Sequence, residues 1–166
     1  MADEKLYQLA EQVGEALQAR ALMLATAESC TGGWVAAAVT MVPGSSAWFE
    51  RGFVTYTYIS KREMLNVSAD TLGTHGAVSE PTVREMARGA LAASHAQIAL
   101  AVSGTAGPGG GTLEKPVGTV CFAWSTKDGE AHSETQHLRG DREAVRRQSV
   151  AHALEGVLRL LEGLPK

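Results

Sequence analysis

Between residues 5 and 20 the apolar positions Leu6, Leu9, Ala10, Val13, Ala16 and Leu17 return every three or four residues. That spacing marks one face of a helix that must pack on the rest of the molecule. Residues 22–27 (LMLATA) form a short apolar run of strand length. Behind them Glu28-Ser29-Cys30-Thr31-Gly32-Gly33 leads into the small-residue stretch 34–42, which predicts a closely packed helix ending at Pro43-Gly44. The β-branched and aromatic run 52–58 (GFVTYTY) predicts a strand, and Ser60 with Glu63 predicts a capping box that puts Lys61 in the first turn of a short helix. Ser79-Glu80-Pro81 opens a helix to about residue 93, and 98–103 is a further apolar strand. Residues 118–125 and 131–138 predict two strands joined as a hairpin through Asp128-Gly129, and Asp141 caps a last helix to about residue 161.

The order αβα, βα, αβ, ββ, α predicts an α/β fold, a three-layer α/β/α sandwich whose mixed sheet carries helices on both faces. With no interior linker or repeat, residues 1–166 are expected to form a single domain. A chain of this length can bury roughly 70% of its unfolded surface without a metal or disulfide.

Composition narrows the partners. Fifteen Lys and Arg against eighteen Asp and Glu leave a net charge of −3, so there is no basic field to attract nucleic acid, and a small-molecule substrate is expected. Apolar stretches are interrupted well before the roughly 20 residues that span a bilayer, so no membrane association is expected. The acidic start Met1-Ala2-Asp3-Glu4-Lys5 is unlike a secretory signal, which predicts a cytoplasmic protein. Two cysteines, Cys30 and Cys121, are too few for a disulfide framework, and the five histidines contain no metal-ligand pair; neither a metal nor another cofactor is expected. The pattern does not fix an oligomeric state, and a homo-oligomer is compatible with it.

Four segments can carry chemistry. Ser29, at a strand-to-helix turn beside Gly32 and Gly33, has unpaired amides and a helix dipole nearby, which suits a nucleophile and an oxyanion; a simple helix cap at Ser29 or Thr31 is the competing reading. Tyr56 and Lys61 lie near one sheet edge, where a lysine cation favours tyrosine phenolate and the two can pass protons for a serine; a buried Tyr and a solvated surface Lys is the competing reading, and the one the pair favours when seen alone. The glycine-rich segment Ser103 to Gly111 leaves the carboxyl end of a strand, where α/β sheets collect ligands, although it has neither a Walker nor a dinucleotide signature. Arg142, with Arg139, Arg146 and Arg147 around it, sits where a helix start disfavours cations, which suggests an anion held there; solvated ion pairs are the alternative.

Taken together, the segments TAESCTGGWVA (26–36), GSSAWFERGFVTY (44–56), HGAVSEP (75–81), SGTAGPGGG (103–111), KPVGTV (115–120) and GDREAVR (140–146) resemble the CinA carboxy-terminal family, in particular its stand-alone members. The resemblance implies the α/β/α fold and hydrolysis of nicotinamide mononucleotide (NMN) to nicotinate mononucleotide and ammonia by a metal-free serine mechanism. It carries Ser29 over as nucleophile, Tyr56 as base or relay, and Lys61 as the group holding either in its reactive state. The amides of Cys30, Thr31, Gly32 and Gly33 would hold the oxyanion, and Gly104, Thr105 and Arg142 the ribose and phosphate. Tyr58 stands where the family pattern has Asn, which keeps a non-catalytic nucleotide-binding or partner-binding module as the second reading. A cysteine hydrolase built on Cys30 has no neighbouring histidine to support it.

Overall fold

In the computed structural model, which describes residues 3–165, the strands β1 (Leu24–Glu28), β2 (Phe49–Val54), β3 (Ile98–Gly104), β4 (Thr119–Thr126) and β5 (His132–His137) form one sheet in the order β2-β1-β3-β4-β5. β1 runs parallel to both β2 and β3, whereas β4 and β5 continue antiparallel. The mixed sheet follows from the connections: helices return the chain between β1, β2 and β3, and tight turns suffice beyond β4. Met1, Ala2 and Lys166, the ends of the expected 1–166 domain, lie outside the described residues.

Helices α1 (Glu4–Gln18), α2 (Trp34–Thr40) and α6 (Arg142–Glu162) cover one face, and α3 (Tyr58–Leu65), α4 (Ala69–His75) and α5 (Glu80–Ala92) the other. Strand alternation sorts the side chains between them. Leu24, Ile98, Leu100, Val102, Phe122 and Trp124 join Leu6, Val13, Leu154 and Val157 in one core. Ala25, Ala27, Ala99, Ala101 and Ala123 face Val83, Met86 and Ala87 in the other. The alanine-lined face brings α5 close to the sheet, while each fully buried leucine of the opposite core contributes about 2 kcal/mol.

Most element ends fall within a few residues of the pattern, but two features depart from it. β2 stops at Val54, and Thr57 caps α3: its hydroxyl accepts the Ser60 N–H while the Ser60 hydroxyl accepts the Thr57 N–H. This capping box displaces the expected one at Ser60 and Glu63, so Tyr58 begins a helix instead of ending a strand and Lys61 lies one turn in. The short helix α4, capped by the Ser68 hydroxyl on Thr71 N–H at 3.1 Å, has too few apolar positions to show a period.

The carboxyl ends of β1, β2 and β3 point the same way. The loops that follow them therefore share one edge of the sheet.

Candidate active site

Ser29 immediately follows β1, and its N–H donates to the Val102 carbonyl at 3.0 Å, continuing the ladder with β3. The chain then turns sharply. The Gly32 N–H returns to the Ser29 carbonyl at 3.0 Å, and Gly32 and Gly33 sit at φ +63° and +102°, where a side chain would be strained.

Gly33 is the N-cap of α2 and has no side chain to offer. Glu28 does this work from the strand. Only 1% exposed, its carboxylate accepts the Val35 N–H at 2.8 Å, the Ala36 N–H at 3.1 Å and the Thr31 hydroxyl at 2.6 Å. Of the four amides expected to hold an oxyanion, that of Gly32 is used within the turn, and the amino end of α2 already faces the Glu28 carboxylate.

Arg146 holds the same turn from α6, donating to the Cys30 carbonyl at 3.0 Å and the Thr31 carbonyl at 3.2 Å with its guanidinium over the Trp34 ring. Arg147 pairs with Asp3 at 2.7 Å and Glu143 at 3.1 Å. Burial pushes the Cys30 thiol up to about 11, partly offset by the Gly104 backbone amide, so this sulfur stays protonated and is a poor nucleophile.

Lys61 reaches down from α3 and is 1% exposed. Its Nζ donates to Ser29 Oγ at 2.9 Å and to the Thr55 carbonyl at 2.7 Å. Burial lowers its pKa to about 8, against a smaller opposing influence of Cys30. An amine that loses its proton near neutrality, in contact with a serine hydroxyl, has the chemistry to take that hydroxyl's proton.

Tyr56 is placed differently from the expected relay. The residue is 60% exposed and borders the pocket, and its hydroxyl accepts from Arg142 Nη2 at 3.3 Å. Lys61 thus contacts Ser29 directly, and the Lys61 to Tyr56 hydrogen bond is not formed among the described residues. Tyr58, rotated away by the helix it opens, accepts the Ala77 N–H at 3.3 Å and does not displace Ser29 from Lys61.

These groups surround a cavity of about 280 Å³. Ser29, Cys30 and Lys61 border it together with Ser103, the loop from Gly104 to Gly110, Ala77, Tyr56 and Arg142. Thr31, Gly32 and Gly33 are not among the residues that border it. Arg142, the first residue of α6 after the Asp141 cap, also donates to the Gly107 carbonyl at 2.9 Å, which ties the glycine loop to the helix start. The loop is pinned from beneath as well, by Thr105 N–H on the Thr119 carbonyl at 2.9 Å and Gly118 N–H on the Thr105 carbonyl at 2.8 Å. No carboxylate lines the cavity among the described residues, whereas Lys61 and Arg142 do, so it favours an anionic ligand.

A second cavity of about 320 Å³ lies between β5 and the end of α6, bordered by Trp124, Glu134 and Arg159, but it contains no buried nucleophile. Among the described residues no three His, Cys, Asp or Glu side chains gather as a metal site. Glu28 was not singled out by sequence as a member of the site, and Arg146, named among the arginines around Arg142, holds the turn carbonyls and not an anion. A glycine N-cap five residues after a strand that ends in Glu is the pattern that points to Glu28.

The CinA C-terminal domain model matches residues 6–161. The nicotinamide-nucleotide amidohydrolase PncC of Escherichia coli (strain K12) is 58% identical over 155 residues, covering 93% of this chain and 94% of that protein. PncC of Pseudomonas putida is 54% identical over 153 residues, covering 92% and 94%. Among solved structures, the competence/damage inducible protein CihA from Agrobacterium tumefaciens matches with a TM-score of 0.92 at 44% identity over 98% of both chains.

Proposed function

The chain belongs to the CinA C-terminal domain family, and from that footing we propose that it hydrolyses the carboxamide of NMN to nicotinate mononucleotide and ammonia, with Ser29 as nucleophile and Lys61 as its base. The observation that carries the mechanism is the 2.9 Å contact between Lys61 Nζ and Ser29 Oγ at the floor of a cavity that favours anions. With Lys61 neutral, the serine proton passes to Nζ as Oγ bonds to the carboxamide carbon. The tetrahedral intermediate then collapses, the C–N bond breaks, and the proton on Nζ goes to the departing nitrogen to release ammonia. Water adds to the resulting Ser29 ester with Lys61 again accepting a proton, and the carboxylate product leaves as Oγ regains it. The Cys30 amide donates to the developing oxyanion.

At the mouth, Arg142 holds the phosphate, and Tyr56 braces the guanidinium and covers the ligand. Gly104 and Thr105 border the ribose. No helix among the described residues is long and apolar enough to cross a membrane; we place the protein in the cytoplasm, recycling pyridine nucleotide.

The test is to incubate purified protein with NMN in the presence of a chelator and to assay ammonia and nicotinate mononucleotide. Both products should form in equal amounts. Binding of NMN without ammonia release would establish the non-catalytic reading instead.

The phosphate assignment has its own test. Arg142→Ala should weaken NMN by about tenfold or more while changing nicotinamide riboside, which lacks the phosphate, by much less. Equal losses for the two would move the phosphate elsewhere.

A further inference from the structure

Val102 pairs with Glu28 across β1 and β3, so the next residues, Ser103 and Ser29, emerge side by side on the face covered by α5. Deeper in the sheet that face carries alanine on both strands, Ala27 beside Ala101 and Ala25 beside Ala99. An alanine at 103 would therefore satisfy the packing, and the hydroxyl is additional. Ser103 is 1% exposed and borders the cavity, and its hydroxyl has no hydrogen-bond partner among the described residues. Its in-register neighbour on β4, Cys121, has its sulfur against the Thr135 hydroxyl at 3.4 Å. A polar group in that position is satisfied by what enters the cavity.

Several amides of the turn after Ser29 and of the start of α2 are already committed. Glu28 takes the Val35 and Ala36 amides, and the Ser29 carbonyl takes the Gly32 amide. Lys61 approaches Ser29 from the β2 side through its bond to the Thr55 carbonyl, whereas Ser103 flanks it on β3. The base and this second hydroxyl thus lie on opposite sides of the nucleophile.

Building on the deamidation reading, we propose that Ser103 is a catalytic residue whose hydroxyl donates to the carboxamide oxygen of the substrate and completes the oxyanion site with the Cys30 amide. No proton is transferred by Ser103; its hydrogen bond strengthens as the oxygen gains charge in the tetrahedral intermediate, which is where a donor lowers the barrier.

The experiment compares wild type, Ser103→Ala and Ser103→Thr on NMN and on its thioamide analogue, in which sulfur, a weak hydrogen-bond acceptor, replaces the carboxamide oxygen. On NMN, Ser103→Ala should lower kcat by about 10²-fold with KM little changed, and Ser103→Thr should recover much of the loss. On the thioamide the gap between wild type and Ser103→Ala should shrink to about threefold or less, because the bond in question is absent from both. An unchanged kcat on NMN, or an equal loss on both substrates, overturns the assignment. Failure of the underlying reading is seen separately: Ser29→Ala would then turn over NMN as fast as wild type whatever Ser103 does.

Discussion

Ser29→Ala should give a folded protein that still binds NMN but deamidates it about 10³-fold or more slowly. The turn does not depend on the hydroxyl. Its geometry is set by the Ser29 N–H on Val102, the Gly32 N–H on the Ser29 carbonyl and the Arg146 clamp on the two carbonyls that follow. Removing Oγ leaves Lys61 its bond to the Thr55 carbonyl and leaves Arg142 and the glycine loop untouched, so affinity should survive while covalent catalysis is lost. Calorimetric titration with NMN and an ammonia assay separate the two quantities. A variant that turns over at a comparable rate would reduce Ser29 to a turn residue. Cys30 would be a poor substitute, since burial holds its thiol near 11.

Local rules carried α1, α5, α6 and the β4–β5 hairpin, because each has a complete message in consecutive residues: an apolar stripe, a Ser79 or Asp141 cap, or an Asp-Gly turn. The boundary of β2 and α3 was misplaced because Thr57 and Ser60 compete as caps. Which one wins depends on where β2 leaves the edge of the sheet.

The site shows the same division. Ser29, Lys61, Cys30, Gly104, Thr105 and Arg142 were all legible as candidates, and all of them border the cavity. Their partners were less so. The spacing of Tyr56 and Lys61 correctly brought both to one edge, but the turn into α3 sends Lys61 toward β1 and leaves Tyr56 on Arg142. Glu28 capping a helix that begins six residues later is likewise a tertiary fact, because the intervening turn has to fold the chain back over the carboxylate.

Lys61→Met should lower turnover by about 10²- to 10⁴-fold, since methionine fills the channel but cannot accept the Ser29 proton. The pH dependence identifies the group. Only the neutral amine can act as base, and the folded pKa is about 8, so wild-type kcat/KM should rise with pH and level off above that value. Stability should carry the same signature. Lys61 titrates at about 8 when folded against the ordinary 10.5 when unfolded, so between these values the unfolded chain holds more protons and stability gained from this group rises with pH. Below about 8 both states are protonated and the full cost of burying the ammonium is felt. Lys61→Met removes that cost but also gives up the bonds to Ser29 and Thr55, which changes the absolute stability by an offset that is the same at every pH. The difference in unfolding free energy, variant minus wild type, should therefore be most in favour of the variant at pH 7 and decline steadily as pH climbs through 8 toward 10.5. Chemical denaturation of both proteins across that range, beside their kcat/KM profiles, measures the two signatures. A wild-type kcat/KM that is flat from about pH 6 to 9, with a stability difference that does not vary, would remove Lys61 as the base.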